Sequence, residues 1–248
     1  MTTRSALDTE FVDNRPVLDD QIVHEALRHE ASEKLRDFNA RLMPTVDPAA
    51  LIGVKIPTIR ELAKLLLKTY NVRTYLSCLP HTYWEELVLH GELLNEYKTY
   101  EALLPHLETF LGYITDWAVC DTLDLKVLEK KRDALLPKCE DWLHDEREFV
   151  VRFAIISLMK YALRKHFDPR VLDWVSGVRR PEYYIQMAQA WFFAEGVILH
   201  PQEVLPYLTT ERLLPEVLNK ALQKACESRR PTEEQKKRFR AMKVSISH

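Results

Sequence analysis

Trp117 and Asp121 stand four residues apart in "TDWAVCDTL" (115–123), so a helix would turn both to one face. The pair is equipped for chemistry. An indole face attracts cations, and a fixed carboxylate stabilises positive charge that develops during a reaction. The alternative is a packing tryptophan followed by a solvated or capping acid. Asp116, next to Trp117, reads as a helix-end acid near a helix that begins around Asp121, and it competes with Asp121 for a catalytic assignment.

Two other stretches set unusual residues into apolar stripes. In "EREFVVRFAIISLMKYALRK" (146–165), Val150, Phe153, Ala154, Ser157, Leu158 and Tyr161 make one core face, while Arg152 joins a row with Phe149, Ile156 and Met159. A guanidinium among apolar neighbours needs a carboxylate or an anion. In "PEYYIQMAQAWFFAEGVI" (181–198), Tyr184, Met187, Ala188 and Trp191 share a stripe. Trp84, Trp142 and Trp174 read as packing between helices. His81, His90, His106 and His144 have no partner at metal spacing and read as surface or capping residues. Cys78, Cys120, Cys139 and Cys226 are far apart, so no zinc site, no other metal and no cofactor are expected.

The elements that must hold these residues read as helix after helix. "DDQIVHEALRHEASEKLRDFNARL" (19–42) repeats Ile22, Ala26, His29, Leu35, Phe38 and Leu42 at helical spacing, and "MPTVDP" ends it. "TIRELAKLLLKTY" (58–70) follows Pro57, which suits a first helical turn. "LPHTYWEELVLHGELLNEY" (79–97) has Pro80 just inside its start, and the same Leu-Pro opening recurs at Pro105, Pro137, Pro206 and Pro215. The spacing is too uneven for a strict repeat. The rhythm of helices joined by short proline-marked turns predicts an all-α fold, an α-solenoid of HEAT-like antiparallel helix pairs with a concave groove. Five glycines in 248 residues also disfavour sandwiches, barrels and nucleotide-binding α/β folds. Residues 1–15 are expected to form a loose arm, and residues 16–248 a single domain.

The bulk numbers narrow the function. The chain is 46% apolar and 29% charged, with a net charge of −2, so no strongly nucleic-acid-binding surface follows from the sum alone. The distribution is uneven. Residues 220–243 hold nine Lys/Arg against three Glu, while the first twenty hold five acids against two Arg. The basic segment is either a solvated amphipathic helix or a phosphate-facing edge. No stretch approaches 18 apolar residues and the N-terminus is polar, so a cytoplasmic protein without membrane contact is expected.

"WAVCD" (117–121), "VVRFAI" (150–155) and "YYIQMAQAW" (183–191) together resemble three signature segments of the AlkD-like DNA alkylation repair family. "LIGVKIPTIRELAK" (51–64) resembles its N-terminal segment, and the likeness keeps the segment order over roughly residues 20–243. The resemblance implies a HEAT-like solenoid that acts as a DNA glycosylase, releasing cationic N3- or N7-alkylated purines from alkylated double-stranded DNA. It matches Trp117 and Trp191 to the family's two active-site tryptophans, Asp121 to the catalytic acid, and Arg152 to the arginine on the DNA backbone beside the lesion. Lys220, Lys224, Arg229 and Arg230 are the expected phosphate contacts outside the site. Tyr183 and Tyr184 read as core or DNA-facing. A monomer is expected. Leu42 stands where catalytic members carry a further aromatic, and the near-neutral charge is a second departure. The rival readings are a non-catalytic HEAT-like solenoid that binds DNA structures or a protein partner, and a scaffold with no nucleic-acid role.

Overall fold

The computed structural model describes residues 14–245. The expected arm over 1–15 therefore lies, except for its last two residues, outside the described residues. By its internal contacts the chain divides into two units, Met1–Lys131 and Arg132–His248. The first holds α1 (Asp20–His29), α2 (Glu33–Leu42), α3 (Ile56–Thr69), α4 (Arg73–Ser77), α5 (Trp84–Leu94), α6 (Tyr100–Leu111), α7 (Trp117–Thr122) and α8 (Lys126–Lys130). The second holds α9 (Arg132–Trp142), α10 (Glu148–Leu158), α11 (Arg170–Gly177), α12 (Tyr183–Leu199), α13 (Pro201–Val204), α14 (Pro215–Glu227) and α15 (Glu233–Ala241). A π turn, Met159–Leu163, follows α10 directly. Among the described residues the only strand-like pairing is an isolated bridge between Val17 and Asn71.

The all-α expectation stands. Within each unit the main packing partners are helices near one another in the chain. In the first unit α5 packs on α3, α6 and α7, and in the second α10 packs on α9 and α12, and α12 on α14. That neighbour-on-neighbour pattern is the one a solenoid uses. Each unit is built round a helix with no solvent face. Every residue of α5 is buried, and in α10 every residue from Phe149 to Leu158 is buried. The two rows read on residues 146–165 are thus both core.

Several boundaries differ from expectation, each for a local reason. The stretch 19–42 is two helices, because Asp19 caps Ile22 and Ser32 caps Leu35, starting separate helices. Val23 and Leu27, rather than Ile22 and Ala26, form the buried stripe of α1. Pro80 lies ahead of α5, whose start is set at Trp84 by Glu86, its carboxylate accepting from the N–H groups of Thr82 and Tyr83 at 3.0 and 2.9 Å. Pro105 and Pro137 lie inside α6 and α9. Thr99 caps α6 by accepting from Ala102 N–H and so starts it well before its proline. Pro57 and Pro215 do sit in first turns. Among the described residues no helix is long and apolar enough to cross a membrane.

Candidate active site

α7 carries Trp117 and Asp121, and it begins at Trp117 rather than near Asp121. The reason is Asp116. Its Oδ1 accepts from the N–H groups of Ala118 and Val119 at 2.7 and 3.2 Å, which caps the helix. Its Oδ2 accepts from Trp84 Nε1 at 2.7 Å. Asp116 is fully buried. Burial pushes its carboxyl above the usual carboxylate range, while the bonds from Trp84, Val119 and Ala118 oppose that shift and the charge of Asp121 adds to it. All the acceptor positions seen in use on Asp116 serve structure, so the helix-end reading of this acid holds.

Trp117 is half-buried at the first position of α7. It walls a cleft of about 330 Å³ together with Leu35, Leu42, Val54, Pro57 and Trp84. Lys55 also lines the cleft and is exposed. Leu42 is 49% exposed and gives the cleft an aliphatic wall. Asp121 lies one turn beyond Trp117 and is half-exposed. Trp117 and Asp121 are thus on one short helix with the spacing the sequence implied.

Val54 and Lys55, at the end of the "LIGVK" segment, line the same cleft, and a buried acid shapes that segment. Glu85, on α5, accepts from the N–H groups of Ile52, Gly53 and Val54 at 2.9, 2.7 and 3.3 Å. Gly53 adopts φ +93°, and a Cβ there would lie 2.3 Å from the Ser32 carbonyl oxygen. The chain then enters α3 with Pro57 in its first turn. The glycine of this motif is therefore a backbone requirement, Pro57 suits the first turn it occupies, and Glu85 is the partner that makes the bend stable.

In the second unit Arg152 is buried and donates from Nη1 to the Tyr184 carbonyl at 2.9 Å. Tyr184 is two turns before Trp191 on α12, so Arg152 and Trp191 belong to one packed pair of helices. Of the stripe read on this helix, Tyr184, Met187 and Trp191 are half-exposed and Ala188 is buried, and Ile185, Phe192 and Phe193 form the core side of α12. Tyr183 is exposed and Tyr184 half-buried. The Arg164 guanidinium lies 5.6 Å from the Trp191 ring centroid. Lys220 and Lys224 are half-buried on α14, Arg229 is exposed after it, and Arg230 pairs with Glu195 at 2.6 Å.

Sequence reasoning missed several of these residues. Trp84 and Asp116, Glu85 and its three donors, and Arg164 over Trp191 are all pairings between distant positions, which carry no local pattern. His90 also differs from expectation, whereas His144 is exposed as expected. His90 is fully buried, stacked on Phe110, with its Nδ1 2.9 Å from His81 Nε2. A histidine on an apolar helix had simply become core. Trp84 and Trp142 are buried packing residues, whereas Trp174 is half-exposed under Arg170. Among the described residues no group of three or more His, Cys, Asp or Glu is arranged to hold a metal ion.

Residues 23–228 match the family model described as DNA alkylation repair enzyme. The matched span includes Trp117, Asp121, Arg152, Trp191, Lys220 and Lys224, and stops just short of Arg229 and Arg230. No curated protein matches the chain significantly.

Proposed function

The chain belongs to the DNA alkylation repair enzyme family, and from that premise we propose that it is a DNA glycosylase that releases N3- and N7-alkylated purines from duplex DNA. The observation that carries this reading is the pairing on α7. Trp117 walls an apolar cleft, and a half-exposed carboxylate, Asp121, follows one helical turn later.

Alkylation at N3 or N7 leaves a purine with a positive charge, so the base is a good leaving group and needs little protonation. As the glycosidic bond breaks, its electron pair goes to the base and neutralises it. The sugar gains oxocarbenium character. Asp121 stabilises that charge and orients the water that adds at the anomeric carbon, whose proton passes to the carboxylate or to solvent. The faces of Trp117 and Trp191 attract the cationic base, each contact contributing about 0.5–2 kcal/mol. Arg152 anchors the backbone beside the lesion, and Lys220, Lys224, Arg229 and Arg230 add phosphate contacts. On this reading the protein acts as a monomer, and the chemistry calls for no cofactor or metal.

The test is base release from duplex DNA carrying N7-methylguanine. Asp121→Asn is expected to lower the rate at least a hundredfold while leaving duplex affinity within about twofold. Full activity in that variant would refute the role of Asp121. A binding-only solenoid is the second reading, and the burial of Arg152 against the Tyr184 carbonyl favours it. It predicts no base release from wild-type protein.

A further inference from the structure

Trp191 already holds a cation. The Arg164 guanidinium lies over its ring, 5.6 Å from the centroid, and three features keep it there. The first is the π turn. Arg164 N–H bonds to the Met159 carbonyl five residues back, at 3.0 Å, so Arg164 comes round later than an α-helix would bring it. A His200 ring nitrogen, 2.9 Å from the Leu163 carbonyl oxygen, fastens the end of that turn. The second feature is Glu195, one turn beyond Trp191 on α12, which accepts from Arg164 Nε at 3.1 Å. The third is Arg230, which grips the other oxygen of the same carboxylate at 2.6 Å. Glu195 is only 14% exposed, so its position is well defined.

One carboxylate thus serves two guanidiniums, and the trio carries a surplus positive charge. An indole that already faces a guanidinium binds a second cation less well. On the same face the space is taken, and on the opposite face the charges repel. A phosphate has the reverse effect. A charge-assisted, two-pronged bond from a guanidinium to phosphate is stronger than a contact with a ring, and the surplus charge of the trio draws an anion.

We propose that Arg164 is a gate on Trp191: in the free protein its guanidinium covers the indole, and a backbone phosphate draws it away, so Trp191 accepts a cationic base only on engaged DNA. The proposal rests on the reading of Trp191 as a wall for the cationic base. Arg164 acts through Trp191 and is a positioning residue. The gate gives the protein selectivity against free alkylated bases and nucleosides, which bring the cation without the backbone.

The experiment uses the 1-methylnicotinamide cation as a probe that needs no turnover, titrated against full-length protein by tryptophan fluorescence. Arg164→Met keeps the length of the side chain and loses the charge. It is expected to bind the probe about threefold to tenfold more tightly than wild type. Arg164→Lys, which keeps the charge without the planar fork, is expected to fall between the two. Inorganic phosphate, exchanged for chloride at constant ionic strength, is expected to tighten probe binding to wild type and leave Arg164→Met unchanged. A purely structural arginine would not produce that split. Trp191→Leu, which removes the aromatic face, is expected to abolish the difference between Met and Arg at position 164. The proposal is overturned if Arg164→Met binds no more tightly than wild type, if phosphate acts equally on both, or if the difference survives Trp191→Leu. Base release by wild type on alkylated duplex is scored separately. Its absence sinks the glycosylase reading, while release without the Arg164 effect sinks the gate alone.

Discussion

Two acids five positions apart on the same short segment sit in opposite settings. Asp116 is buried and committed to capping α7 and receiving Trp84 Nε1, whereas Asp121 is half-exposed. Replacing Trp84 by Phe removes the strongest of the bonds that restrain the Asp116 carboxyl. At neutral pH this is expected to cost about 2 kcal/mol, read from the urea midpoint. It also moves that carboxyl further upward. A carboxyl raised on folding contributes stability that is present below its unfolded pKa and lost as pH rises through its folded pKa. The variant's deficit is therefore expected to shrink in acid, and a deficit that grows in acid would contradict the assignment. The residue types at positions 117, 121, 152 and 191 were legible from sequence, through a likeness to family segments. Trp84 as the partner of Asp116 was not, since 32 residues separate them and the bond exists only after α5 and α7 have packed.

At the scale of elements, periodicity found most helices and proline misplaced some of their ends. Leu-Pro reads as a helix start, and it is one at Pro215, but inside α6 and α9 the chain tolerates the missing N–H. The break between α1 and α2 was hidden because it uses no glycine or proline, only a serine cap at Ser32. The histidines of α5 and its approach were invisible as core because burial of a polar ring depends on what packs over it. Here Tyr75 stacks on His81 and Phe110 on His90. Burial lowers His81 to a pKa of about 4 and holds His90 well below the usual histidine range, so both are neutral in the folded chain at pH 7. Lowered histidines contribute stability that is complete above the unfolded value near 6.5 and is lost as pH falls toward 4. The unfolding free energy is expected to drop between about pH 6.5 and 4, His81 accounting for at most about 3 kcal/mol. His81→Phe, which keeps the stack on Tyr75, should flatten that slope in a series of urea melts. An unchanged slope would show that the pair is not what acid attacks.

Across the whole molecule, net charge understates what the surface offers. A chain of net charge −2 binds a polyanion only by gathering cations locally. α14 gathers Lys220 and Lys224, and α15 is largely exposed, with Lys237, Arg238 and Arg240 toward solvent. Each phosphate contact adds about 0.9 to the slope of log affinity against log salt. Replacing Lys220 and Lys224 by Gln is therefore expected to reduce that slope by roughly 2 on lesion-free duplex, measured by anisotropy over a salt series. An unaltered slope would assign both lysines to solvent. The sequence did show the basic segment and the all-α class, because composition and period are summed over many residues. It could not show which cations are already engaged, as Arg230 is by Glu195.

The wide turn at Met159–Leu163 has a genealogical consequence. A π turn is what remains when one residue is inserted into an α-helix whose flanks stay put. A relative one residue shorter at this turn would therefore hold its equivalent of Arg164 over the same ring, and its buried residues on either side would keep their faces. Gain or loss of a single codon there would thus lengthen or shorten the chain without uncovering the indole.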